Sequence, residues 1–274
     1  MPISGKTRIV GLFGYPVEHT LSPYMQNAAF SHCGADYCYV PFSVHPDHLK
    51  NAVEAIRSLS LCGVNLTIPH KEACIPFLDQ LDEEARVIGA VNTITTESGR
   101  LIGHNTDGRG FVMALREQGI AIEGSRALVI GAGGASRAVA YYLSRAASTL
   151  HIYNRTRKKA EELASVLSYA GGKADIIDDI SSLPDYDLIV NATSLGLQDN
   201  DPLPLDPALL RPSQSVCDLI YRRTPLLQHA TQKGCRTVDG LGMLLWQGAY
   251  SFELWTGIKP PVEVMRTALL TIVK

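Results

Sequence analysis

Apolar runs of strand length alternate along this chain with segments whose apolar residues return at helical spacing. Thr7 to Gly14 reads as a strand, Pro23 to Cys33 as a helix, Tyr37 to Val44 as a strand, Asp47 to Leu59 as a helix and Leu61 to Thr67 as a strand again. Such alternation implies right-handed βαβ crossovers and a mainly parallel sheet covered by helices. Val91 to Thr95 and Leu101 to His104, on either side of Ser98-Gly99, predict a hairpin added to that sheet.

After Asp107 a helical segment runs to about Gln118, and Gly119 and Gly124 bracket a polar turn. A second α/β unit begins there, with strand-like runs at Ala127 to Ile130, Leu150 to Tyr153, Ala174 to Ile177, Asp187 to Asn191, Val216 to Tyr221 and Arg236 to Val238. Six strands with helices between them predict a doubly wound dinucleotide fold, whose two halves contribute three strands each. Beyond Gly240 the pattern is helical: Met243 to Trp255 ends at Gly257, and a last helix starts after Pro260-Pro261. The closing helices have no strands of their own and are expected to return to the first domain. The predicted fold class is α/β with two domains and a cleft between them. Residues 1–106 and 241–274 form the substrate domain with a mainly parallel sheet, and 107–240 the Rossmann-type domain.

Composition narrows the classes. With 274 residues, 46% apolar and 19% charged, the chain can bury a substantial core, and the signature of disorder is absent. The formal net charge of −2 gives no global attraction to nucleic acid or an anionic membrane, so any anion must be held locally. No apolar run approaches the roughly 18 residues of a membrane span, and the first residues do not read as a signal peptide. Six cysteines without a Cys-x-x-Cys pair argue against a disulfide framework or a zinc ribbon and point to reduced thiols in a cytoplasm. His32, Cys33, Cys38, His45 and His48 fit no compact metal-ligand spacing, so no metal is expected. His19, His70 and His104 are read as loop-shaping residues, and Trp246 and Trp255 as core or domain-contact residues.

Ala127-Leu128-Val129-Ile130 turns directly into Gly131-Ala132-Gly133-Gly134-Ala135-Ser136, a buried strand leading to a glycine-rich helix start. Gly131 permits the tight turn, Gly133 lets backbone approach a pyrophosphate, and the helix offers free N–H groups and its positive dipole end. Ser136 departs from the usual third Gly or Ala. About 20 residues on, an NAD-type fold places an acid for the ribose 2′-hydroxyl. Here stands Tyr153-Asn154-Arg155-Thr156-Arg157-Lys158-Lys159, with no acid before Glu161. Four basic residues crowd a helix start, where the dipole disfavours them, so a 2′-phosphate and hence NADP is expected.

Lys71 follows a strand that ends at Pro69, where open α/β sheets line their ligand crevice, although by composition alone it could be a surface cation. Asp107, in Asn105-Thr106-Asp107-Gly108, is open to two readings, helix cap and cleft acid. Ser22 before Pro23 has the same ambiguity.

These segments, taken in order, resemble the shikimate dehydrogenase family. The resemblance rests on Gly14-Tyr15-Pro16, His19-Thr20-Leu21-Ser22-Pro23, Asn65-Leu66-Thr67-Ile68-Pro69-His70-Lys71, Gly89-Ala90-Val91-Asn92-Thr93 and Asn105-Thr106-Asp107-Gly108. It continues through Gly131-Ala132-Gly133-Gly134-Ala135, Asn154-Arg155-Thr156, Asn191-Ala192-Thr193, Thr224-Pro225-Leu226-Leu227 and Gly240-Leu241-Gly242-Met243, covering nearly the whole chain. It implies reversible, NADPH-dependent reduction of 3-dehydroshikimate to shikimate in aromatic amino-acid biosynthesis, by a monomer or homodimer. Carried over by position, Lys71 and Asp107 are the catalytic pair and also contact the substrate. Thr20 and Ser22 would hold the carboxylate with Tyr221 near it, and Thr67, Asn92 and Gln247 would meet ring hydroxyls or the carboxylate. Gly131, Gly133, Gly134 and Ala135 would cradle pyrophosphate, and Asn154, Arg155, Thr156 and Lys159 would bind the adenosine phosphate. Thr193, Ser194, Gly240 and Met243 would lie towards the nicotinamide.

Three departures stand out. Thr20 occupies a position commonly Ser, adding a methyl group near the carboxylate and the C1 position; Lys159 stands where Arg is frequent; and the chain between Tyr221 and Thr224 is short. Two other readings compete: a quinate/shikimate dehydrogenase with broader substrate or NAD use, and a non-catalytic nucleotide- or metabolite-sensing module on the same fold.

Overall fold

A computed structural model describes residues 2–272 apart from Ser182, Pro184, Asp185 and Asp199. The chain opens with β1 (Arg8–Gly14), α1 (Ser22–His32), β2 (Tyr37–Ser43), α2 (Leu49–Ser58), β3 (Gly63–Leu66), α3 (His70–Ala73), β4 (Gln80–Leu81), α4 (Glu83–Ile88), β5 (Thr93–Glu97) and β6 (Arg100–His104). It continues through α5 (Asp107–Glu117), β7 (Arg126–Ile130), α6 (Gly134–Ala146), β8 (Thr149–Tyr153), α7 (Arg157–Tyr169), β9 (Asp175–Ile176), β10 (Leu188–Asn191) and β11 (Ser215–Asp218). It closes with α8 (Pro225–Gln232), β12 (Arg236–Val238), α9 (Leu241–Thr256) and α10 (Val262–Ile272).

Two compact units result, Met1–Thr106 with Leu245–Lys274, and Asp107–Leu244. The second crossing thus falls inside α9 rather than ahead of it at 240/241, because one unbroken helix carries the chain from one unit to the other.

In the first unit the sheet order is β2-β1-β3-β5-β6-β4. Strands β2, β1 and β3 run parallel, β5 pairs antiparallel with both β3 and β6, and β4 lies parallel to β6. Every residue of β3 is buried, as a central strand covered on both faces requires. Leu49, Val53 and Ile56, spaced at helical period, turn α2 onto a core that contains Phe13, Val64, Ile94 and Leu101. The chain from 47 to 59 is not one helix: Pro46–His48 form a 3-10 turn in which His45 Nδ1 accepts from the Asp47 N–H at 3.4 Å. The short α4 carries no periodic signal and is held by its caps, with Asp82 Oδ1 accepting from the Ala85 N–H at 2.6 Å and Gly89 in the left-handed conformation. From the closing segment, Gln26 Nε2 donates to the Gly248 carbonyl at 2.8 Å, Phe30 stacks on Phe252, and Trp255 Nε1 donates to the Ile94 carbonyl at 3.0 Å.

In the second unit all six strands are parallel, in the order β12-β11-β10-β7-β8-β9. This is the doubly wound Rossmann arrangement, with its switch point between β7 and β10. Ala127 and Val129 face one core and Leu128 and Ile130 the other, so β7 is apolar without alternation. Strand β11 stops at Asp218 rather than Tyr221, because the Asp218 carboxylate accepts the Ile220 N–H at 3.1 Å and turns the chain out of the sheet. Among the described residues no helix is long and apolar enough to cross a membrane, and all six cysteines are free.

Candidate active site

Strand register gathers the first unit's polar motifs at one edge. Phe13 and Leu66 are cross-strand partners, the Leu66 N–H donates to the Asn92 carbonyl at 2.8 Å, and Thr93 pairs with His104. Because β5 runs against its neighbours, its beginning lies level with the ends of β1, β3 and β6. Thr20 and Ser22 follow β1, Thr67 and Lys71 follow β3, Asn92 precedes β5, and Asp107 comes three residues after β6 ends. At the level of Thr67 a Cβ on Gly14 would sit 2.4 Å from the Thr67 methyl group, so only glycine allows β1 to end this close to it.

Asn92 is buried and its amide orientation is set by its partners. Oδ1 accepts from the Thr106 N–H at 2.8 Å, which turns Nδ2 towards Thr106 Oγ1 at 2.8 Å and Gln247 Oε1 at 3.3 Å. Ser22 does not cap α1. It is the first helical residue, Leu21 holds the cap position without a side-chain bond, and Ser22 is buried. Thr20 is half-buried, its Oγ1 accepting the Ser22 N–H at 3.3 Å. Lys71 is half-buried on the single turn α3, where its carbonyl accepts the Val91 N–H at 2.7 Å. The neighbouring His70 is buried: Nε2 lies 2.8 Å from the Val44 carbonyl and Nδ1 has no partner. Burial pushes the imidazole below its ordinary value despite that carbonyl. His104 joins Asp82 and Thr95, at 2.8 and 3.0 Å, and shapes the β6 end. Among the described residues no group of three or more His, Cys, Asp or Glu side chains is placed to hold a metal ion.

Asp107 is the first residue of α5 and is buried. The glycine that follows it explains the placement of that helix: a Cβ on Gly108 would lie 2.5 Å from the Tyr142 ring and 2.7 Å from the Ala138 carbonyl, so α5 packs closely on α6.

Across the second sheet Tyr153, Ile130, Asn191 and Asp218 form one row, and Cys217 pairs with Val238. The residues expected at the cofactor lie just beyond this row, at the C-terminal ends of the strands. Gly131 (φ +119) makes the turn after β7, and a Cβ there would lie 2.9 Å from the Ala192 carbonyl. Gly133 caps α6 with no side-chain bond, and a Cβ there would meet nothing within 4 Å, so the approach to the helix start is open. The N–H groups of Gly134 and Ala135 open the 13-residue α6, where a helix leaves its first donors unpaired. Ser136 is fully buried, its hydroxyl 3.1 Å from the Gly131 Cβ position and without a partner, so it serves as the close-packing residue of the motif.

After β8, Asn154 Nδ2 donates to the Thr156 carbonyl at 2.9 Å and Thr156 occupies the cap position of α7. Arg155, Lys158 and Lys159 are exposed and enter no ion pair among the described residues. Arg157 differs: it pairs with Glu161 at 2.8 Å and with Asp178, so the basic cluster available to a phosphate is three cations rather than four. After β10, Thr193 Oγ1 donates to Asn191 Oδ1 at 2.7 Å and accepts the Leu195 N–H at 3.1 Å, and Ser194 is exposed. Tyr221 is 38% exposed on its short loop. Arg222 secures that loop by donating Nη2 to the carbonyls of Gly196 and Leu197, at 2.7 and 2.9 Å. Gly240 and Met243 have packing roles. A Cβ on Gly240 would lie 2.1 Å from the Leu219 carbonyl, and Met243 is buried in the core.

Asp218 was not singled out by the sequence. It is buried, accepts the Thr224 hydroxyl at 2.8 Å, and burial raises its carboxyl above the ordinary value. The available signal was a lone acid closing the apolar run Val216-Cys217.

A doubly wound sheet with a glycine turn at its switch point, together with a second α/β unit with polar residues at its strand ends, is the architecture of a dinucleotide-binding α/β protein. The family described as shikimate dehydrogenase substrate binding domain matches residues 12–94, shikimate / quinate 5-dehydrogenase matches 113–197, and shikimate 5'-dehydrogenase C-terminal domain matches 240–270. A relative from Desulforamulus reducens, shikimate dehydrogenase (NADP(+)), is 49% identical over 97% of this chain and 96% of its own. A shikimate dehydrogenase crystal structure in complex with NADP+ superposes with a TM-score of 0.92 at 40% identity, covering 100% of this chain and 98% of the other. Shikimate 5-dehydrogenase from Thermus thermophilus, in complex with NADP(H) and shikimate, gives 0.88 at 38% identity over 96% and 99%. The chain belongs to the shikimate dehydrogenase family.

Proposed function

We propose that this chain catalyses the reversible, NADPH-dependent reduction of 3-dehydroshikimate to shikimate, a step towards chorismate and the aromatic amino acids. One observation carries the reading: within the first unit, Thr20, Ser22, Thr67, Lys71, Asn92 and Gln247 collect at one sheet edge, hydroxyls and amides beside a single lysine. Neutral donors meet a bound carboxylate with directed hydrogen bonds, and Asn92 with Gln247 offers an amide pair of fixed orientation to ring hydroxyls. The second unit fits the cofactor: the helix start at Gly133 is open, and three exposed cations without an ion pair among the described residues follow β8.

When bound, NADPH would supply the hydride. Lys71 would provide an ammonium for the developing alkoxide, stabilising the charge or giving its proton, and Asp107 would accept a substrate hydroxyl. Arg155, with Lys159, Asn154 and Thr156, favours the 2′-phosphate and so NADP over NAD. We place the enzyme in the cytoplasm, in keeping with its free thiols.

The test is a four-way assay of shikimate and quinate, each with NADP+ and NAD+, on the wild type and Lys71→Ala. The expected result is turnover fastest with shikimate and NADP+, with kcat falling about 1000-fold in Lys71→Ala. Near-wild-type turnover by that variant would falsify the mechanism. Quinate oxidation at a comparable rate would favour the broader dehydrogenase, and tight NADP+ binding with no turnover would favour a sensing module.

A further inference from the structure

We propose that Tyr39 and Ser251 are positioning residues that act through Asn65. They orient Asn92 with Gln247 in the substrate site, and neither offers its own hydroxyl to the substrate. The inference rests on the proposed function and assigns it two further residues.

Tyr39 lies on the edge strand β2, where Asn27 of α1 pairs with both its backbone groups, Oδ1 accepting the Tyr39 N–H at 2.8 Å and Nδ2 donating to its carbonyl at 3.0 Å. That fixes where the side chain enters the core. The ring is 2% exposed, and its hydroxyl donates to Asn65 Oδ1 at 2.8 Å. A phenol near neutrality has one proton to give. With that proton committed, Asn65 Oδ1 must face Tyr39 and its Nδ2 must face away. There Nδ2 lies 3.0 Å from each of three acceptors, the Asn92 carbonyl, Thr93 Oγ1 and Ser251 Oγ. The direction is then inherited by the next groups. The Thr93 hydroxyl donates to Asn92 Oδ1 at 3.0 Å, which helps turn Asn92 Nδ2 towards Gln247 Oε1. Ser251, one turn after Gln247 on α9 and fully buried, donates to the Gln247 carbonyl at 2.9 Å. Thr106 Oγ1 donates to the same carbonyl at 3.0 Å.

A single phenol thus reaches, through one amide, the side of the site expected to take ring hydroxyls. Asn65 can present its amide two ways round, and the Tyr39 proton on one side and the Asn92 carbonyl, which can only accept, on the other select one of them. Removing the Tyr39 hydroxyl leaves Oδ1 buried without a donor and the amide held from one side only, so that every later link is positioned less firmly.

The test uses Tyr39→Phe, which deletes one oxygen without opening a cavity, Ser251→Ala, and the double variant, with KM for shikimate, KM for NADP+, kcat and Tm measured for each. Each single variant is expected to raise KM for shikimate roughly tenfold, leaving KM for NADP+ and kcat within about twofold. In the double variant KM is expected to match the worse single rather than the product, because both act through one amide. A lowered Tm with both KM values unchanged, both KM values raised alike, or multiplied effects in the double variant would each overturn the proposal. Should Tyr39→Phe not fold, Ser251→Ala alone is read by the same split between the two KM values. A wild type that does not oxidise shikimate refutes the proposed function itself, whereas an active wild type with unchanged variants refutes only the positioning role.

Discussion

The two regions of this molecule proposed to meet anions are built in opposite ways. At the strand ends of the first unit the polar side chains are buried and mostly neutral: Asn65, Asn92, Thr93 and Ser251 are all under 6% exposed and bonded to one another. After β8 in the second unit, Arg155, Lys158 and Lys159 are exposed and make no ion pairs among the described residues. A buried group has already lost its water and must be paired by its neighbours, so its geometry is specified by the fold. An exposed cation keeps its water and has no stored geometry, so it contributes charge. The difference teaches which substitutions damage folding together with binding and which damage binding alone.

The largest effect that would separate the two regions is expected from Asn92→Ala. It strands the Thr106 N–H and Asn65-linked partners inside the core and should cost about 3 kcal/mol, seen as a Tm lower by roughly 10 °C, with shikimate binding lost. A Tm unchanged by this substitution would mean that the network holds no stability. Arg155→Ala comes next: KM for NADP+ rising by roughly 10- to 100-fold, with Tm and KM for NAD+ unchanged. Equal losses with both cofactors would remove the 2′-phosphate from the account. Arg157→Ala is expected to change KM for NADP+ by less than about twofold, because Asp178 and Glu161 already occupy its guanidinium. An effect as large as that of Arg155→Ala would show that those ion pairs open in solution.

The smallest effect concerns His70. Its value is lowered in the fold, so between that value and the ordinary 6.5 the unfolded chain binds more protons, and stability rises with pH across that window. Below the window the buried ring must be charged, and the contribution is lost. Denaturant melts from pH 5 to 8 should show this slope in the wild type and a flatter one in His70→Phe. Identical slopes would mean that the His70 ring charges without penalty.

Much of the architecture was legible along the chain because the central strands of the second sheet, β7, β10 and β11, are buried on both faces and therefore read as apolar runs. The turn at Gly131 is marked by the glycine itself, which is needed for a φ of +119 and for the approach of the Ala192 carbonyl. Less legible were α3, β4 and α4, which are too short to show a period and are held by caps and neighbours. Ser22 was ambiguous because its residue type suits both a cap and a ligand. Only the structure, which puts Leu21 at the cap position, excludes the first.

By itself, then, the sequence determined the order of elements, the glycine turn, the basic stretch after β8 and the family motifs, because each is a local pattern read within a few residues. Tertiary structure alone decided which polar residues share a hydrogen bond and which cations are free. Asn65, Asn92 and Ser251 come together only because an antiparallel strand enters a parallel sheet and a helix from the end of the chain returns to cover it. Asp178 reaches Arg157 only because β9 lies beside β8. Hydrogen bonds and ion pairs act over a few ångströms of space, whatever their separation along the chain, and that distance exists only once the sheets have formed.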